Sequence, residues 1–179
     1  MKQSDVLYPP LLRRYLISAA PQAIYALGDL SILKHQKLGL FCSIKCPGNV
    51  ILRLYDAARE WRDNGTTVIS GFHSPMEKEC LEILLRGTQP IIICPARSIE
   101  NMRLPKNWIA ALDEKRLLLL SPFDPKHRRV TADLAQKRNL FIAALADKIL
   151  IAHIARGGKT ESFAQMIRGW EKELLPAIS

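Results

Sequence analysis

Along this chain, apolar runs of strand length alternate with stretches whose apolar positions follow a helical period. The runs at 38–43 (LGLFCS), 66–70 (TTVIS), 89–94 (QPIIIC), 117–120 (LLLL) and 148–152 (KILIA) read as strands. Most of them are apolar at successive positions, as expected of strands covered on both faces by helices. Over 50–62, Ile51, Leu54, Ala58 and Trp61 recur at helical spacing, and Asn64-Gly65 stops that helix. A helix over 75–86 opens on Pro75 with Glu77 and Glu79 in its first turn, and another covers 106–114. The next begins near Thr131, whose hydroxyl can cap it, and carries Lys137-Arg138-Asn139 into Leu140, Phe141, Ala144 and Leu145. Phe163, Ile167, Trp170 and Leu174 place an apolar stripe on 161–175 and predict a last helix packed on the sheet.

This alternation predicts an α/β protein, a three-layer Rossmann-like fold whose mainly parallel sheet has about five or six strands. Residues 1–36, broken by Pro9, Pro10 and Pro21, read as a short helical lead-in covering one sheet edge, and 37–179 as the Rossmann-like domain. A length of 179 residues suits one core and is too short for two full domains. No internal repeat or low-complexity segment interrupts it.

Charge changes the picture more than composition does. Lys and Arg number 26 against 17 Asp and Glu, a net charge of +9, which favours polyanionic partners such as nucleic acid or nucleotides. No apolar run is long enough for a membrane span, and the polar start Met1-Lys2-Gln3-Ser4-Asp5 does not read as a signal peptide. Cys42, Cys46, Cys80 and Cys94 fall in or beside core elements and read as reduced thiols of a cytoplasmic protein. With His35, His73, His127 and His153 they show no zinc-like spacing, so neither metal nor cofactor is expected.

In sheets of this kind ligands bind beyond the carboxyl ends of the strands, where strand order reverses. The residues placed there are Ser43 and Lys45 after the first core strand, Ser70 and Gly71 after the second, and Gly157, Gly158, Lys159 and Thr160 after the last. Glycines let backbone N–H groups approach a ligand, and a helix starting near Thr160 directs its positive end at an anion. Arg128 and Arg129, in the basic loop 124–129, and the cluster Lys137, Arg138 and Asn139 extend this candidate phosphate-binding surface. Gly158-Lys159-Thr160 is not a Walker A loop, because the required earlier glycine is His153 and the turn follows the last strand. Ser43 and Ser70 stand where a nucleophile can sit, yet no histidine and carboxylate pair is identifiable to activate either, so no catalytic residue is assigned. His73 reads as an ordinary loop histidine.

The order of these landmarks resembles DNA-processing protein A, the Smf/DprA family. Tyr8-Pro9, Leu12, Pro21, Tyr25, Gly28 and Asp29 are similar to the family's approach to its first core strand. Ser70-Gly71 with an acid at Glu77, Leu104-Pro105 with Asn107, and Lys137-Arg138-Asn139 before Gly157-Gly158-Lys159-Thr160 follow in the family's sequence. The chain departs from the pattern at two loops. Cys42-Ser43-Ile44-Lys45 stands where the family has Gly-Ser-Arg, and lysine cannot supply a bidentate phosphate fork. Pro75 and Leu81 replace the second glycine and the histidine of the next motif.

The resemblance implies a Rossmann-like core that binds single-stranded DNA in recombination or uptake of DNA, self-associates as a homodimer and meets a recombinase. Gly157 to Glu161 is also similar to the glycine-rich motif of LOG-type nucleotide phosphoribohydrolases, with Arg156 in place of its proline. Three readings therefore stand: a noncatalytic nucleic-acid-binding module without membrane association, a pocket for a nucleotide or nucleotide-derived signal with or without slow hydrolysis, and a structural partner whose ancestral pocket is vestigial.

Overall fold

The computed structural model describes residues 1–5 and 7–178. Among these described residues seven strands form one sheet: β1 (Tyr25–Gly28), β2 (Lys37–Phe41), β3 (Thr67–Ser70), β4 (Ile91–Ile93), β5 (Leu117–Ser121), β6 (Lys148–Ile151) and β7 (Glu173–Leu175). Their spatial order is β1-β5-β4-β3-β2-β6-β7. All pairings are parallel except that of β1 with β5. The interior strands are those read from the apolar runs. The helices α1 (Pro10–Leu16), α2 (Gly48–Asp63), α3 (Pro75–Leu84), α4 (Lys106–Asp113), α5 (Ala132–Leu145) and α6 (Lys159–Ile167) cover the two faces.

Alternation along each strand feeds two cores. Ile69, Ile92, Leu118, Leu120, Ile149 and Ile151 pack with Leu12 of α1, Phe141 and Leu145 of α5, and Phe163 and Ile167 of α6. Leu38, Leu40, Val68, Ile91, Leu117 and Leu119 point the other way, against Leu54 and Ala58 of α2, Cys80 and Leu84 of α3, and Ala111 of α4. Three layers with a sheet buried on both faces result.

The helix ends follow local chemistry. Ser74 accepts the Glu77 N–H at 3.3 Å while the Glu77 carboxylate accepts the Ser74 N–H, a reciprocal cap on α3. Thr131 accepts the Leu134 N–H at 3.2 Å and caps α5, as expected. Gly65, at φ 79, carries the chain out of α2 into β3.

The two edges differ from expectation. The lead-in covers an edge by adding β1 to the sheet, not by helix alone. The last helix was expected to reach Leu175 but stops at Ile167, and Glu173–Leu175 pairs in parallel with β6. Gly169 weakens the helix there, and Trp170 is drawn back to stack on Tyr15 of α1 with ring centroids 4.9 Å apart. The Lys172 ammonium lies 4.4 Å over the same ring and donates to the Ala144 and Ala146 carbonyls at the carboxyl end of α5.

Candidate functional site

β2 is flanked by β3 on one side and β6 on the other, so the order of the parallel strands reverses between β2 and β6. Their carboxyl ends open into a cleft of about 950 Å³. The sequence-predicted residues Ser43, Lys45, Asn139, Gly158, Lys159 and Thr160 all line it. Ser43 is buried and ties the two loops together: its N–H donates to the His153 carbonyl at 3.3 Å, and its Oγ accepts the Ala155 N–H at 3.1 Å. Lys45 and Lys159 are exposed. Arg128 and Arg129, also exposed, run directly into the cleft-lining Val130.

Gly157 takes φ 69, a turn that suits glycine, and its N–H donates to the Glu161 carboxylate at 2.7 Å. That amide is therefore already engaged by an anionic side chain. Lys137 is exposed and pairs with Asp133 one turn earlier at 2.9 Å, so part of its charge is met within α5.

Three of the predicted residues sit beneath the cleft instead of facing a ligand. Ser70 is fully buried; its hydroxyl donates to the Leu40 carbonyl at 2.8 Å and accepts the Phe72 N–H. Arg138 is 1% exposed, so it cannot lay its charge on a phosphate in this conformation. Its Nε donates to Asn139 Oδ1 at 2.8 Å and its Nη1 to the Cys94 carbonyl at 3.3 Å, joining α5 to the end of β4. Gly71 accommodates this guanidinium, since a Cβ there would lie 1.7 Å from Nη1. Gly71 serves the packing of Arg138, not the approach of a ligand.

Arg138 also closes a network that sequence reasoning did not find. Its Nη2 lies 3.0 Å from His73 Nδ1, and the same nitrogen lies 3.0 Å from Glu77 Oε2. The Glu77 carboxylate is buried and accepts the N–H groups of Cys42 and His73, each at 3.0 Å. Burial opposes its charge, but the hydrogen bonds from the His73 ring and from these amides prevail and hold the carboxyl below its usual range. Burial lowers the Arg138 pKa, and the nearby Glu77 charge works against that fall. Burial likewise pushes the thiol of Cys80 up to about 12, and Cys42 and Cys94 higher, so these free cysteines are inert packing groups. The signal that could have revealed the network is Ser74-x-x-Glu77, a capping pattern that places Glu77 one turn from His73.

Phe72 sits at φ 45, an uncommon left-handed conformation for a bulky residue, between the anchored Ser70 and Ser74. The bonds around it hold the loop 70–74 in one shape. Among the described residues no group of His, Cys, Asp and Glu is arranged to hold a metal ion. No helix among them is long and apolar enough to cross a membrane.

Residues 1–166 match the family DNA recombination-mediator protein A. The chain belongs to that family. Its fold is similar to that of DNA processing protein A from Helicobacter pylori, at a TM-score of 0.75 and 19% identity, over 93% of this chain and 76% of that one. The H. pylori protein is described for a single-stranded DNA binding mode. DNA processing protein A from Streptococcus pneumoniae is similar at a TM-score of 0.68 and 16% identity, over 99% of this chain and 71% of that one. No curated protein matches this sequence.

Proposed function

We propose that this family member binds single-stranded DNA along the cleft at the carboxyl ends of β2 and β6. The observation that carries the reading is that Lys45 and Lys159 line one concave surface, and the exposed Arg128 and Arg129 lead directly into its lining residue Val130, in a chain with net charge +9. These cations come from the loop after β2, the loop before α5 and the first position of α6, far apart in sequence, and each is exposed. Phosphates neutralised by them release counterions, so affinity falls steeply with salt. Arg138 takes no direct part in this contact. It fixes the loop after β3 from below, and Ser43 joins the loops after β2 and β6.

The test is fluorescence anisotropy of a labelled single-stranded oligonucleotide over a range of salt. K45E/K159E is expected to weaken binding and to flatten the dependence of log K on log salt by roughly 0.7 for each lysine. An unchanged affinity in that variant removes the cleft from the proposal. A nucleotide that displaces the oligonucleotide at stoichiometric concentration favours instead a pocket for a small nucleotide-derived ligand.

A further inference from the structure

The loop after β2 carries two thiols that phosphate binding does not use. It leaves the sheet at Cys42, bends at Ile44 and Lys45, and reaches Cys46 just before α2 begins. The bends return Cys46 to the core cluster that holds Cys42, and the two side chains share a hydrogen bond. Cys42 is buried, whereas Cys46 is half-buried and open to a reagent from solution. Burial, with the Cys46 thiol beside it, pushes the Cys42 thiol up, so Cys42 is inert toward outside reagents. A sulfur already held next to it is a different matter.

Two thiols that share a hydrogen bond face each other, and a disulfide then requires the sulfurs to close by about 2 Å. The loop has room for that movement. Among the described residues, the N–H groups of Ile44, Lys45 and Cys46 make no backbone hydrogen bond to another element. Cys80 of α3 is the rival partner. It belongs to the same cluster but is fully buried, and no hydrogen bond joins it to Cys46 among the described residues.

We propose that Cys42 and Cys46 form a reversible disulfide that closes the loop carrying Lys45 and so couples the cleft to thiol–disulfide exchange. The oxidant is a small-molecule disulfide such as oxidised glutathione. The Cys46 thiolate attacks one of its sulfurs, the S–S bond of the oxidant breaks, and one small thiol leaves with the proton that Cys46 gave up. Cys42 then attacks the Cys46 sulfur, and its proton goes to the second small thiol as that departs. Two protein thiols are oxidised and one small disulfide is reduced to two thiols. The second step is intramolecular, which offsets the reluctance of Cys42 to ionise. Ser43, Ile44 and Lys45 are then enclosed in a ring, and Lys45 loses the freedom to follow a phosphate. That last consequence rests on the single-strand reading; the disulfide does not.

The experiment treats the full chain with oxidised glutathione, blocks free thiols, denatures it and digests it with trypsin without reduction. Trypsin cuts after Lys37, Lys45 and Arg53, so residues 38–45 and 46–53 separate unless a disulfide joins them. The joined pair is expected, and dithiothreitol should part it. In anisotropy, the oxidised protein should bind a labelled single-stranded oligonucleotide with a salt slope lower by roughly 0.7, one phosphate contact. C46S, at a half-buried position, should bind as the reduced protein does and ignore the oxidant, whereas C80S should respond as wild type. A lasting glutathione adduct on Cys46, a link from Cys46 to Cys80, or unmodified peptides would overturn the proposal. Joined peptides with unchanged affinity and slope overturn the coupling to the cleft. Binding by neither form overturns the single-strand reading and that coupling together, while the peptides still decide the disulfide.

Discussion

Arg138 is the residue on which the site's architecture turns, and its position inverts the usual meaning of a charge. A guanidinium in water is a surface group; here it links Cys94, Asn139 and His73 inside the protein and rests on Gly71. Gly71 and Arg138 must therefore be coupled energetically. G71A is expected to destabilise the native protein by about 2 kcal/mol, and to cost at least about 1 kcal/mol less in an R138A background, as read by a denaturant double-mutant cycle. Simple additivity would show that the two do not share the space. Glu77 gives a second prediction, in pH. Its carboxyl is held below the usual range in the folded state, so the stabilisation is complete above an unfolded-state value of about 4.3 and disappears as pH falls through the folded value. The stability difference between the wild type and E77Q should be constant near neutrality and shrink below about pH 4, which urea titrations over pH will reveal. Neither role was legible in the sequence. Arg138 stands beside Lys137 in a basic cluster, and nothing in the local pattern distinguishes the buried cation from the exposed one.

Among the elements, the interior strands were legible because burial on both faces leaves a continuous apolar run, as in Ile91–Ile93 and Leu117–Leu120. The edge strands were not. β1 is mostly exposed and ends on Gly28, and β7 is three residues long with Leu174 also falling on the helical stripe of α6. Such short edges borrow their conformation from the neighbouring strand, and no local periodicity announces them. Caps were more readable, since they depend on a few neighbouring residues. T131A removes the hydroxyl that accepts the Leu134 N–H at the start of α5 and is expected to cost about 1 kcal/mol, measured by thermal or urea unfolding. An unchanged midpoint would mean that tertiary packing alone fixes that end of the helix.

For the molecule as a whole, the proposed binding predicts that where charge lies matters more than its total. Arg86 and Lys115 are exposed at the opposite end of the sheet, after α3 and before β5 respectively. R86E/K115E changes net charge by the same amount as K45E/K159E, yet should leave oligonucleotide affinity within about twofold and the salt slope nearly unaltered. Equal losses in both variants, seen by anisotropy, would reduce the interaction to nonspecific attraction by a basic protein. The strand order has a different consequence, for synthesis. β2 is the central partner of both β3 and β6, and the Lys37 amide that bonds Asp147 is separated from it by 110 residues. While the chain emerges from a ribosome, β2 can pair with β3 early but keeps its other edge unsatisfied until β6 is made. That open apolar edge is a target for chaperones and for aggregation throughout elongation. Because β2 and β6 together shape the cleft, a nascent chain halted before residue 148 lacks that concavity, and the proposed binding surface is completed only with the closing strands.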